Sequence, residues 1–326
     1  MIREKKIDVL KFIGLFCIIL AHVNPPQIIF QIRNFDVVLM ILLSAYLFLR
    51  TKKNVDFKQY AFKRFKRLIL PTWFFLTIFF VIAYIFKLCD INLGVIVSSF
   101  LLSDGIGYVW IIRIYFILAL LLPTYKKMSK IYSKKIIIYL LLIIYILYEI
   151  LCFLGIFKNL ILMYAIAYIV PCFVLIVIAE WIFKSNNKKL AVFCFANCII
   201  FIITAILIYK VTGDIKNTNY FKYPFQSYYL SYALFVSSFL IIIFRTDKIT
   251  DFCYNSYIEF VSKNSLYFYL WHILFVYIVK ELNFNWLLKY ILIIFFTSII
   301  VYFQSKVVEF LEKTSISPKI ISILKG

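Results

Sequence analysis

The sequence predicts an all-α integral membrane protein, a single bundle of about ten transmembrane helices with both termini cytoplasmic. Three observations predict it. Apolar and aromatic residues make up 64% of the 326 positions at a mean hydropathy of +0.96, a load that a water-soluble domain would have to display on its surface. Ten apolar runs are each long enough to cross about 30 Å of hydrocarbon. Lysine and arginine gather in alternate connections between the runs, as the positive-inside rule requires of a chain that crosses back and forth.

The runs fall at residues 9–25, 34–50, 68–87, 106–123, 136–154, 160–183, 190–209, 227–244, 264–280 and 288–304. The stretch 91–103 is apolar but short and broken by Asn92, Gly94, Ser98 and Ser99, which suits an interfacial or re-entrant piece better than an eleventh crossing. An even number of crossings puts the termini on one side. With that side cytoplasmic, the inside connections hold 26 lysines and arginines and the outside connections 7. The basic start precedes a run that carries Asp8, Lys11 and His22 and no small-residue cleavage site, so it reads as a retained first span and not as a signal peptide. No repeat or linker divides the chain. Residues 1–326 read as one domain, with 305–326 a cytoplasmic tail whose Ile320, Ile321 and Leu324, flanked by Lys319 and Lys325, suit the inner membrane surface. Pro171 is expected to kink the sixth helix, because it removes a backbone donor in mid-span.

A formal charge of +21 would suggest nucleic acid in a soluble chain. Here the basic residues sit between apolar runs, where they set topology, and no nucleic-acid partner is expected. The seven cysteines are scattered without a C-x-x-C spacing and read as small hydrophobes, with neither a disulfide framework nor a metal site expected.

The first run buries charge where lipid tolerates none. At about 100° per residue, the eleven steps from Lys11 to His22 return to nearly the same face and rise ~16.5 Å, so Asp8, Lys11, Leu15, Ile18 and His22 form one stripe. Polar residues in a span usually face a bundle interior or a wet cavity. The competing reading makes Asp8 and Lys11 an ion pair that snorkels at one interface, with His22 a helix-end residue at the other.

Other polar residues add to this. Arg64 and Arg67 are three apart on one helical face, with Lys63 and Lys66 beside them; such a cluster clamps phosphates through the fixed fork of guanidinium or anchors the chain on anionic lipid. Arg113 lies inside the fourth run and needs an acid or an anionic ligand. Glu149, Glu180 and Asp36 are its candidate partners, Asp36 the nearest in depth. His272, in the ninth run, is a second lining residue or a histidine satisfied by a backbone carbonyl. Ser44 has small neighbours and suits close helix approach better than nucleophilic attack. The aromatics between 210 and 229, with Asn217 and Asn219, either seat a sugar or form an interfacial belt.

Together these features resemble the acyltransferase family 3 membrane proteins, the ten-span module of many bacterial envelope O-acetyltransferases. Asp8 to His22 resembles the family's opening helix, in which a basic residue and an essential histidine are separated by ten positions; lysine stands here where arginine is usual. Phe35-Asp-Val-Val-Leu-Met-Ile-Leu-Leu-Ser-Ala-Tyr-Leu is similar to the family's second span with its Ser-Gly-Tyr/Phe element, Ala45 replacing glycine. Arg64-Phe-Lys-Arg67 and the following Leu-Ile-Leu-Pro match Arg-x-x-Arg-x-x-x-Pro, and Leu266-Tyr-Phe-Tyr-Leu-Trp-His272 is similar to the family's Tyr-Leu-x-His span. The resemblance implies transfer of an acetyl group from cytoplasmic acetyl-CoA to a hydroxyl of a cell-envelope or capsular polysaccharide, or of its lipid-linked precursor, at the bacterial cytoplasmic membrane. It assigns Arg64, Arg67 and Arg113 to the donor, Asp8, Lys11 and His22 to catalysis, and Ser44, Asp36 and His272 to substrate-side or structural polar roles, with no metal. His22 acts in that scheme as general base or brief acyl acceptor. A secondary transporter of a small solute or glycan intermediate is the alternative, since buried charges and a wet path also serve translocation.

Overall fold

Long apolar stretches with few internal breakers become helices, since in lipid every backbone donor and acceptor has to be satisfied within the segment. The computed structural model describes residues 4–51, 56–103, 105–158, 166–313, 321, 323 and 324, and its regular elements are all helical. In chain order the α-helices are α1 (Lys5–Leu20), α2 (Gln27–Ile32), α3 (Asp36–Leu49), α4 (Phe57–Phe86), α5 (Leu93–Phe100), α6 (Trp110–Ile131), α7 (Lys134–Phe153), α8 (Ile169–Lys184), α9 (Asn187–Thr212), α10 (Ser227–Ile243), α11 (Asp247–Cys253), α12 (Ser256–Lys263), α13 (Ser265–Lys280) and α14 (Trp286–Glu312). Short polar side chains set their starts. Asp56, Asn92, Ser133, Asn186, Asn255 and Asn285 each accept a bond from the backbone N–H three residues on, opening α4, α5, α7, α9, α12 and α14. After α1 the chain passes through a 3-10 turn at Ala21–Val23 and stops at Asn24, whose φ of 51° is left-handed.

Five helical stretches are long and apolar enough to cross a membrane: Gln27–Leu49, in which α2 and α3 count together, and α4, α7, α9 and α14. A sixth is the pair α10 and α11, bent by 95°. Length and composition therefore establish five or six of the ten expected crossings. The others fall short for physical reasons. α1 carries Lys5, Lys6, Asp8 and Lys11, α6 carries Arg113 and three lysines, and α8 and α13 have 16 residues each. The stretch 91–103 forms only the eight-residue α5, which Trp73 holds by donating its indole N–H to the Phe100 carbonyl at 2.8 Å. Gly105 then makes the return turn at φ +43°, where a Cβ would fall 2.0 Å from the Ser99 hydroxyl.

Two expectations change. Pro171 does not interrupt a span, because α8 starts at Ile169 and places the proline in the first turn, where the missing donor has no partner to lose. The last helix runs past 304 to Glu312. Of the expected amphipathic tail, Lys319, Ile320 and Lys325 lie outside the described residues, and the Leu324 carbonyl accepts a bond from Gln304.

Burial sorts the helices into a centre and a rim. α3 is apolar on all sides and packs against α1, α6, α8 and α10, so it is buried on all sides. α1 and α13 complete the centre. α1 approaches α3 closely at Gly14, where an added Cβ would lie 2.9 Å from Met40 Cγ. In α7 and α9 only 11% of the most apolar window is buried, and in α14 17%. Apolar helices left so bare are stable where hydrocarbon covers them.

At one end of α3 a buried charge cluster ties distant segments together. Arg33 donates to Asp36 at 2.6 Å, Lys222 reaches Asp36 at 3.3 Å and Asn34 Oδ1 at 3.0 Å, and Asn34 donates to Thr218 at 2.8 Å. All five residues are at most 4% exposed. Removing the carboxylate leaves two cations buried without their counter-charge, which costs about 3–5 kcal/mol. Asp36→Asn should therefore lower the thermal unfolding midpoint in detergent by more than the removal of any surface acid, Glu312 for example, and an unchanged midpoint would mean that the cluster does not hold the fold.

Candidate active site

The stripe anticipated on the first helix is a cavity wall. Asp8, Lys11, Leu15 and Ile18 all line one cavity of about 950 Å³, which α3 completes with Met40 and Ser44, α6 with Ile112, Tyr115, Leu118 and Ala119, and α13 with Leu266 and Tyr269. Its mouth is basic. Arg50, Lys63, Arg64, Arg67 and Lys263 stand there with Glu4 and Asp56, and Arg50 pairs with Glu4, which also accepts from Tyr46. Arg64 donates Nε to the Tyr60 hydroxyl at 2.8 Å, which orients its guanidinium while leaving the terminal nitrogens to point elsewhere. Arg67 stands one turn from Arg64 on the same helix and lines the same mouth. A site in which cations crowd one another in this way favours a polyanion. Asp8, 4% exposed, accepts from Ser262 at 2.6 Å and so links α1 to α12.

The cavity stops one turn short of His22. That interval is filled by side chains from α13 and the segment before α6: Tyr269 lines the cavity and donates to the Tyr108 carbonyl, the Tyr269 ring lies 5.1 Å from that of His272, and His272 stacks on His22 with ring centroids 5.4 Å apart. Tyr108 meets His22 edge-on at 4.6 Å. His272 is fully buried, with the backbone carbonyls of Phe268 and Tyr269, one turn back on α13, acting on its ring. His22 itself lines a separate notch of about 50 Å³ with Val23, Asn24, Lys280 and Lys289.

Of the residues singled out in the sequence, Asp8, Lys11, Ser44, Arg64 and Arg67 share the large cavity, and His22 and His272 form a pair just beyond it. Asp36 is bound to Arg33 and Lys222. Arg113 lies apart from the cavity lining, its guanidinium 5.9 Å over the Tyr168 ring. Its two other candidate acids are engaged elsewhere: Glu149 accepts from Tyr145 and from the backbone and hydroxyl of Ser227, and Glu180 from Tyr125, Lys134 and Lys184. Sequence reasoning quoted Tyr269 as the tyrosine of the Tyr-Leu-x-His element but gave it no role of its own, although its place one turn from His272 on the same helix was a usable signal. It missed Lys263 and Lys222, whose partners lie far away in the chain.

A cavity with a basic mouth and an imidazole pair beyond its inner end is the site this bundle of apolar helices builds. The family model described as an acyltransferase domain, that of acyltransferase family 3, matches residues 4–304, and the chain belongs to that family. It is an acyltransferase, and a multi-pass membrane protein. No curated protein and no solved structure matches it.

The cavity predicts a labelling pattern. In a background freed of cysteine, Ile18→Cys on the cavity wall should react with a water-soluble maleimide, while Ile19→Cys, its fully buried neighbour on the closed side of α1, should not. Equal reactivity at both positions would show that α1 does not wall a solvent-filled space.

Proposed function

We propose that the protein transfers an acetyl group from cytoplasmic acetyl-CoA to a hydroxyl of a cell-envelope or capsular polysaccharide, or of its lipid-linked precursor, in the bacterial cytoplasmic membrane. The observation that carries this reading is the single cavity with a cationic mouth that follows Asp8, Lys11, Leu15 and Ile18 inward and ends beside the imidazole pair. Guanidinium groups at its mouth suit the phosphates of CoA, and the apolar inner wall suits the pantetheine arm and its thioester. Lys11 stands between the two and steers the thioester end.

In this reading ten helices cross, and the basic face is cytoplasmic. Contacts among the connections support it. Lys5 pairs with Asp251 at 2.6 Å, Lys126 reaches the Thr51 carbonyl at 2.6 Å and Arg245 the Ser185 carbonyl at 2.8 Å, all joining segments assigned to the inside. Asn34, the first residue of the second run, bonds Thr218 of an outside connection, and Glu149, toward the outer end of the fifth run, bonds Ser227, the first residue of the eighth.

The acceptor oxygen attacks the thioester carbonyl carbon, a carbon–oxygen bond forms and the carbon–sulfur bond breaks. His22 takes the hydroxyl proton, which then leaves with the thiolate as free CoA. General-base work of this kind contributes typically 10²–10⁴-fold. His22→Ala in purified, folded protein should therefore lower acceptor-dependent thiol release by about that factor, and near-normal release would remove His22 from the chemistry. Losing two charge-assisted contacts, worth about 1.5–3 kcal/mol each, Arg64→Ala/Arg67→Ala should weaken acetyl-CoA binding by at least about tenfold in calorimetry, and unaltered binding would remove the clamp. Mass analysis of envelope glycans with and without the protein should differ by one acetyl step. Solute counterflow without thiol release would favour a carrier instead.

A further inference from the structure

Resting on the reading of His22 as the group that meets the acceptor, the geometry points to an acceptor of a particular chemistry: a hydroxyl carried beside a phosphate or carboxylate, bound at the notch over His22 by Lys280 and Lys289. The notch lies past the end of α1 opposite the basic mouth. Its polar rim is His22, Asn24, Lys280 and Lys289, its floor is valine and isoleucine, and no carboxylate lines it among the described residues.

The two ammonium groups stand at the rim. Lys289 is half-buried and donates to the Lys280 carbonyl at 3.1 Å, which fixes its direction, and Lys280 is exposed at the end of α13. With two ammonium groups and no carboxylate in the lining among the described residues, the rim draws an anion. A neutral sugar would draw nothing from it.

The test uses full-length protein in dodecyl maltoside, where no lipid phosphate competes, with acetyl-CoA and two acceptor probes, glycerol 1-phosphate and glycerol. Thiol release is expected to run at least about tenfold faster with glycerol 1-phosphate than with glycerol, and Lys280→Gln/Lys289→Gln should bring the ratio of charged to neutral acceptor close to one. Equal rates for glycerol 1-phosphate and glycerol, or a preference that survives the double substitution, would overturn the proposal and leave the lysines as anchors for lipid headgroups. A second readout needs neither turnover nor a variant: glycerol 1-phosphate, and not glycerol, should protect Lys289 of the wild-type protein from an amine-reactive reagent. Protection without thiol release from any probe would keep the anion site and sink the acetyl-transfer reading; absence of protection sinks the anion site whatever the turnover.

Discussion

Charge has to be accommodated in a bundle that cannot solvate it, and every functional feature of this protein follows from how that is done. Two solutions are present. At the end of α3, Arg33, Asp36 and Lys222 neutralise one another in part and share Asn34 among them, so a buried cluster doubles as a tie between segments almost two hundred residues apart. Along α1, Asp8 and Lys11 face a cavity instead. The first solution yields rigidity and the second yields a place for a ligand.

The bundle has a centre and a rim: α1, α3 and α13 pack inward, and α7, α9 and α14 leave most of their apolar surface bare for lipid. Without a hydrophobic drive between helices in lipid, close approach and hydrogen bonds hold the centre. Gly14 against Met40 is an instance of the first, and Tyr290 donating to the Phe16 carbonyl at 3.1 Å an instance of the second. Because α1 is pinned on several sides, the stripe from Asp8 to Ile18 keeps its register against α3 and α6, which a binding wall requires.

The large cavity and the His22 notch open separately, with Tyr269 and the two imidazoles in the interval. For group transfer from a thioester such separation has a plain use, since a continuous aqueous channel would admit water as a competing acceptor.

Much of this was legible in the chain itself. Periodicity alone placed Asp8, Lys11, Leu15 and Ile18 on one face of one helix, the paired arginines three apart on another, and the apolar runs in order, because helix geometry and membrane thickness leave little freedom once the residues are known. Arg33 beside Asp36 was equally a local matter, three residues apart. What the three-dimensional packing alone decided were the meetings of distant residues: Lys222 with Asp36, Ser262 with Asp8, His272 with His22, and Lys263 at the same mouth as Arg64. The same packing placed Glu149 at the start of α10 and Glu180 among lysines. A sequence states which groups must avoid lipid; which of them find one another depends on how the helices are arranged, and that choice is made by contacts no local pattern records.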